Sequence, residues 1–193
     1  MSLKESIVEE ASYQIKRGGW NELNFDTIAE KLNTTRSNLH YHFKTKEKLA
    51  NEVMERFVSN NITKFDTIFE MTNQNFPEMV RKIEEFIFKG WKADSNQGFC
   101  ACSPFLTNSG TVPKSLRDKA SSYFVQQIDY WSHLISVSKE KGYIQSSLDP
   151  ESLARQFLMI FLGFRTLGNA SRPIKNSPFK ETLSDWATSI EAA

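Results

Sequence analysis

Cysteine is nearly missing: Cys100 and Cys102 are the only two in 193 residues. A bridge between them would close a tiny loop, so no disulfide framework holds this fold, and the usage fits a reducing cytoplasm. Long apolar runs are missing too. The longest, Phe157 to Phe164, lies between Gln156 and Arg165, well short of the about 20 residues a membrane helix needs. Glu5, Glu9 and Glu10 fall where an export signal requires an apolar stretch, so no export is expected. Charge of one sign is also lacking. Lys and Arg number 24 against 23 Asp and Glu, a net +1, so any nucleic-acid signal has to come from local clustering. With three histidines, the chain shows no nucleophile–base–orienter set, no phosphate-cradling loop and no metal-spaced cluster. No catalytic residue, metal or cofactor is expected, which weighs against a small helical enzyme.

What is present is helical periodicity. Hydrophobic residues make up 39% and charged residues 24%, a soluble globular composition with room for a small head and a larger body. Ile7, Val8, Ala11 and Ile15 share one face of a first helix that should stop before Gly18-Gly19. Asn24 suits the N-cap of a second, carrying Phe25, Ile28, Ala29 and Leu32 inward. After a turn at Asn33-Thr34, Thr35 caps a third helix to about Phe43, and Thr45 a long fourth with Leu49, Val53, Phe57, Ile62 and Phe65 as its stripe. A fifth starts near Pro77 and runs to about Ala93. A short helix covers Phe99 to Thr107, a long one opens at Pro113 and ends near Lys141, and Asp149-Pro150 and Ser177-Pro178 open the last two. The expected fold is all-α, with about nine helices. A three-helix head (1–48) is joined by the fourth helix to a helical body (49–193).

Residues 25–43 carry the strongest pattern. Two short apolar faces separated by a tight turn, with the small Ala29 at their crossing, give a helix-turn-helix. The rest of the third helix is polar. Between Lys31 and Lys48 five cations stand against the single carboxylate Glu47, so charge is concentrated where a phosphate-binding surface needs it. His40 and His42 lie two apart on different helix faces, which argues against a metal site.

The run from Phe25 to Leu49, with its Ile28-Ala29 pair, the Thr35 cap, Leu39-His40-Tyr41-His42-Phe43 and Lys46-Glu47-Lys48-Leu49, resembles the signature of the TetR family of regulators, over about residues 5–57. It departs at Asn33, where the family usually has Gly, at Thr34, which replaces an apolar residue, and at His40, which replaces the first Tyr of a Tyr-Tyr pair. The His40 change bears on DNA sequence preference and leaves the binding mode as it is. The resemblance implies double-stranded operator DNA as partner, contacted by Thr35, Arg36, Ser37, Asn38, His40, Tyr41 and Lys46. It also implies a homodimer and a small-molecule effector whose binding releases the DNA.

The body agrees with this in part. Residues 153–167 are apolar around nearly the whole helix, so they are covered either by a partner subunit, through Phe157, Phe161, Gly163 and Phe164, or by the chain's own core. Trp91, Phe105, Tyr123, Tyr130 and Trp131 combine apolar area with polar tips and suit a pocket for an apolar or aromatic effector; the alternative is ordinary core. Cys100 and Cys102 are either redox- or electrophile-sensing thiols on the same scaffold, or buried small side chains.

Overall fold

The computed structural model describes residues 1–90, 100–107, 110–168 and 181–192, without the side chains of 88–90 and 164–168. Among the described residues nine helices form: α1 (Leu3–Glu22), α2 (Phe25–Lys31), α3 (Arg36–Phe43), α4 (Lys46–Met71), α5 (Phe76–Gly90), α6 (Pro104–Thr107), α7 (Lys114–Glu140), α8 (Pro150–Gly168) and α9 (Thr182–Ile190). The fold is all-α. Extended pairing among the described residues is limited to one isolated bridge, Ile144 to Glu191.

Two compact units divide the chain. Met1–Asn61 groups with Gln97–Tyr123, and Ile62–Asn96 with Phe124–Ala193. Residues 49–61 and 97–123, assigned to the body from sequence, therefore group with the head.

Capping explains most helix starts in the head unit. Ser2 and Glu5 exchange hydrogen bonds in a capping box at α1. Asn24 accepts from the Asp26 amide, Thr35 from Asn38 and Thr45 from Lys48. The expected stop before Gly18-Gly19 is instead a kink: α1 continues to Glu22, and Gly19 takes φ 71° within it, a conformation a side chain would resist. Asn33 adopts φ 49° in the turn between α2 and α3, where the Thr34 amide donates to the Ala29 carbonyl. Ile7, Ile15, Ile28, Leu39 and Leu49 are fully buried and form the head's core. Gln14, also buried, donates to Thr27 and accepts from the Asn24 amide, so both ends of its amide pin α1 to the start of α2.

The second unit packs around aromatics. Trp131 lies 4.8 Å from the rings of both Phe65 and Phe157, and Phe76 makes edge contacts with Trp131 and Phe157. Helix ends are held by buried polar groups. Ser138 on α7 accepts from the Phe76 amide at the start of α5. Glu84 on α5 accepts from the Leu183 and Ser184 amides and the Ser184 hydroxyl at the start of α9. At the other end of α9, Arg81 reaches Thr188 and Glu191. Asp149 caps α8 through the Ser152 amide, as expected. The Ser177-Pro178 start lies outside the described residues, and the described last helix begins at Thr182.

Candidate nucleic-acid interface

The site is built on α3. Its apolar residues Leu39 and Phe43 are buried, which fixes the helix on α2 and leaves His42 half-buried and the other side chains outward. Thr35, Arg36, Ser37, Asn38, His40 and Tyr41 are all exposed, Tyr41 to 82%. A large aromatic left in water beside cations is a feature of surfaces that meet a partner.

These side chains are not equally available. Thr35 is occupied as the N-cap, and Asn38 donates to the Thr34 hydroxyl at 3.0 Å. Arg36 donates through Nη1 to both carboxylate oxygens of Asp26, at 3.0 and 2.8 Å, and through Nε to Nε2 of His40 at 3.3 Å. The Nδ1 of His40 meets the Lys44 carbonyl at 3.0 Å. Tyr41 makes an edge contact with the His42 ring. Lys46, in the first turn of α4, holds its ammonium 4.3 Å above the Trp20 ring centre, and burial lowers its pKa.

Sequence reasoning missed one cation, Lys4, that stands beside Lys44 and Lys48. An open notch in the same unit is lined by Lys4, His42, Phe43, Lys44, Lys48 and Glu52. Lys4 comes from the start of α1, where the charge count over 31–48 did not look. Its ammonium is shared between Glu52 at 3.6 Å and the Phe43 ring at 5.8 Å. Trp20 and Gln14 were missed as well, because nothing in the spacing of α1 marks them as supports of α4 and α2.

Residues 7–53, which hold all of α2 and α3, match the family model described as bacterial regulatory proteins, tetR family. That match marks residues 7–53 as a segment of the TetR type, the N-terminal part of such regulators. The matched segment contains the helix-turn-helix formed by α2 and α3. Solved structures resemble the chain over nearly its full length. A TetR-family regulator from Agrobacterium tumefaciens is 17% identical, covers 98% of this chain and 97% of its own, and has a TM-score of 0.83. A TetR regulator from Legionella pneumophila is 22% identical with 98% of both chains covered and a TM-score of 0.80. The reduced form of NemR from E. coli is 12% identical, covers 98% and 96%, and scores 0.82. At these identities the likeness is one of fold. No curated protein matches this sequence.

The remaining candidate residues are distributed as follows. Phe105 and Tyr123 lie in the head unit, Phe105 fully buried; Tyr130 and Trp131 lie in the second unit. The Tyr130 hydroxyl donates to Asp66 at 2.7 Å. Trp131 is buried, and its Nε1 has no hydrogen-bond partner among the described residues. Trp91 lies outside the described residues. Phe157 and Phe161 are buried against the chain's own Trp131, Phe76 and Phe65, which favours the alternative of a core position over a partner-facing one. Gly163 has open space where a Cβ would stand, on the face shared with Met159 four residues earlier, which is 67% exposed. The Phe164 side chain is outside the described set. Cys100 and Cys102 are both buried and form no disulfide. The contact with Cys100 and burial together push the Cys102 thiol far above the ordinary range, the opposite of what a reactive thiolate needs. No group of His, Cys, Asp and Glu among the described residues is arranged to hold a metal, and no described helix is long and apolar enough to cross a membrane.

Proposed function

We propose that this regulator is a cytoplasmic repressor that binds a palindromic operator as a homodimer and is released by an apolar or aromatic small-molecule effector. The observation that carries the DNA half is the outward face of α3. It offers an exposed phenol, a hydroxyl, an amide and a guanidinium on a helix whose buried side is fixed, and each group suits base edges or phosphates. Two such helices, one per subunit, read two half-sites, which is why a dimer is proposed. The Met159 and Gly163 face of α8 supports close approach by a second copy. The effector half is supported by Trp131. A buried donor with no acceptor is costly, and an acceptor on a guest held by α5 and α7 offsets that cost. Trp91 belongs to the same proposed site.

The test is a mobility shift on the DNA upstream of the protein's own coding sequence, repeated with a panel of aromatic and aliphatic compounds. Retarded DNA, released by one member of the panel, is expected. Trp131→Phe should then keep operator binding and lose the response. Sedimentation should show a dimer. A monomer at micromolar concentration, or no retardation at any salt concentration, would sink the proposal.

A further inference from the structure

The ion pair between Arg36 and Asp26 is exposed, with both side chains about 60% accessible. Exposed pairs contribute little to stability, so folding alone gives no reason for two side chains to converge on one guanidinium. The convergence is nevertheless specific. Asp26 stands in the first turn of α2, its amide tied to the Asn24 cap at 2.8 Å. It presents two oxygens to one nitrogen, Nη1. His40, one turn along α3 from Arg36, takes Nε. The histidine is itself oriented. A backbone carbonyl only accepts, so Nδ1 carries the proton toward Lys44; a guanidinium only donates, so Nε2 is the bare acceptor. The His40 ring also leans on Phe25 with centroids 5.0 Å apart. Asp26 and His40 thus grip Nη1 and Nε from two different helices. Nη2 is left without a hydrogen bond to any described residue.

We propose that Asp26 and His40 are positioning residues for sequence reading: they clamp Arg36 so that its remaining donors meet a base acceptor, and so fix the base preferred at one position of each half-site. This rests on the assignment of α3 as the reading helix. A long arginine free to swing reaches a phosphate as easily as a base, and only an oriented one discriminates. The order of the parts matters. Neither Asp26 nor His40 needs to touch DNA for its loss to change the preferred sequence.

The experiment is enrichment of binding sites from randomised duplex DNA by the full-length protein. Wild type is compared with Arg36→Ala, Asp26→Ala, His40→Phe and the Asp26→Ala/Arg36→Ala double variant, with thermal melts to confirm folding. Wild type should enrich one palindrome. Arg36→Ala should flatten the preference at one base pair per half-site. Asp26→Ala and His40→Phe should relax that same base pair, by roughly tenfold in the ratio of best to worst base, and leave the others sharp. The double variant should match Arg36→Ala, because a clamp with nothing to hold has no effect. If Asp26→Ala keeps the wild-type preference while Arg36→Ala loses it, the clamp is overturned and the reading helix stands. The clamp is also overturned if Asp26→Ala merely tightens binding to every sequence, which marks the carboxylate as a repellent of phosphate. If Arg36→Ala enriches the wild-type site unchanged, or wild type enriches none, the reading assignment falls and the clamp with it.

Discussion

On the α3 face of the head, polar side chains lie on the surface and tie to one another: Arg36 to Asp26 and His40, Asn38 to Thr34. In the second unit the comparable groups are buried and tie to backbone. Glu84 holds the amides that open α9, and Ser138 the amide that opens α5. The chemistry is the same, carboxylates and hydroxyls accepting N–H bonds, but the surroundings reverse its consequence. An exposed bond competes with water, so its loss costs the fold little. A buried one cannot be exchanged, because its backbone partners have nowhere else to go. Polar groups on the α3 face can therefore take a further partner, as Arg36 can through Nη2, whereas Glu84 and Ser138 are committed to the backbone they hold.

The sharpest way to break this contrast is to cut the body's aromatic core. Trp131→Ala should lose about 3–5 kcal/mol in denaturant unfolding, since Phe65, Phe76 and Phe157 all close on that ring. Phe161→Glu should likewise unfold the body, not split a folded dimer, because Phe161 is covered from within the chain. A soluble, folded Phe161→Glu monomer would restore its partner-facing role and take Phe161 out of the core.

Glu84→Ala should come next. It leaves the α9 amides of Leu183 and Ser184 without their acceptor, at about 1–3 kcal/mol for a buried donor. Glu84→Gln keeps one acceptor and should lose less. Amide hydrogen exchange at Leu183 and Ser184 reads the effect directly: exchange should quicken there before it changes in α3. Uniform exchange across the chain would mean that Glu84 is not what holds α9.

Cys102 sharpens the contrast from the head's side, as a buried group among surface ones. Its thiol is pushed above the ordinary range by the contact with Cys100 and by burial. Above about pH 8.5 an unfolded chain loses this proton while the folded one keeps it. The unfolded state then binds fewer protons, so stability falls as pH rises, by up to about 1.4 kcal/mol per pH unit. Below that pH the thiol contributes no dependence. Cys102→Ala should be less steep than wild type between about pH 8.5 and 10, and iodoacetamide should label folded wild type slowly at neutral pH. Rapid labelling with loss of DNA binding would return the cysteines to a sensing role.

Much of the head was legible because its signals are local. A cap, a small residue at a crossing and a four-residue apolar repeat need no knowledge of distant chain, so Asn24, Thr35, Ala29, Leu39 and Phe43 fell where their types require. What escaped was non-local. Gln14 and Trp20 support residues 10 and 26 positions away in sequence, and only the fold brings them together. The body was harder for a related reason. An apolar helix such as α8 reads the same whether its cover is a partner or its own chain, and the rings that close on Phe157, those of Trp131 and Phe76, are far off in sequence. Gly19 misled in the other direction: a glycine that can end a helix can also kink it.

The smallest effect on stability should come from Lys46→Ala, and it tests the contrast most finely. Lys46 is half-buried, its ammonium over the Trp20 ring, and burial lowers its pKa. Its removal forfeits one cation–π contact, about 0.5–1 kcal/mol at a site open to water, so the melting temperature should barely move. DNA binding should change in a different way. A cation that neutralises one phosphate releases about one counterion, so the slope of log K against log salt should flatten by about one unit, equally for specific and random duplexes. Trp20→Ala separates the two roles of the ring. If Trp20 only packs, the slope stays at the wild-type value. If it holds Lys46 toward the phosphates, binding weakens while Lys46 is still present, and the Trp20→Ala/Lys46→Ala double variant is no weaker than Lys46→Ala alone. A Lys46→Ala protein with an unchanged salt slope would remove α4 from the DNA surface and confine reading to α3.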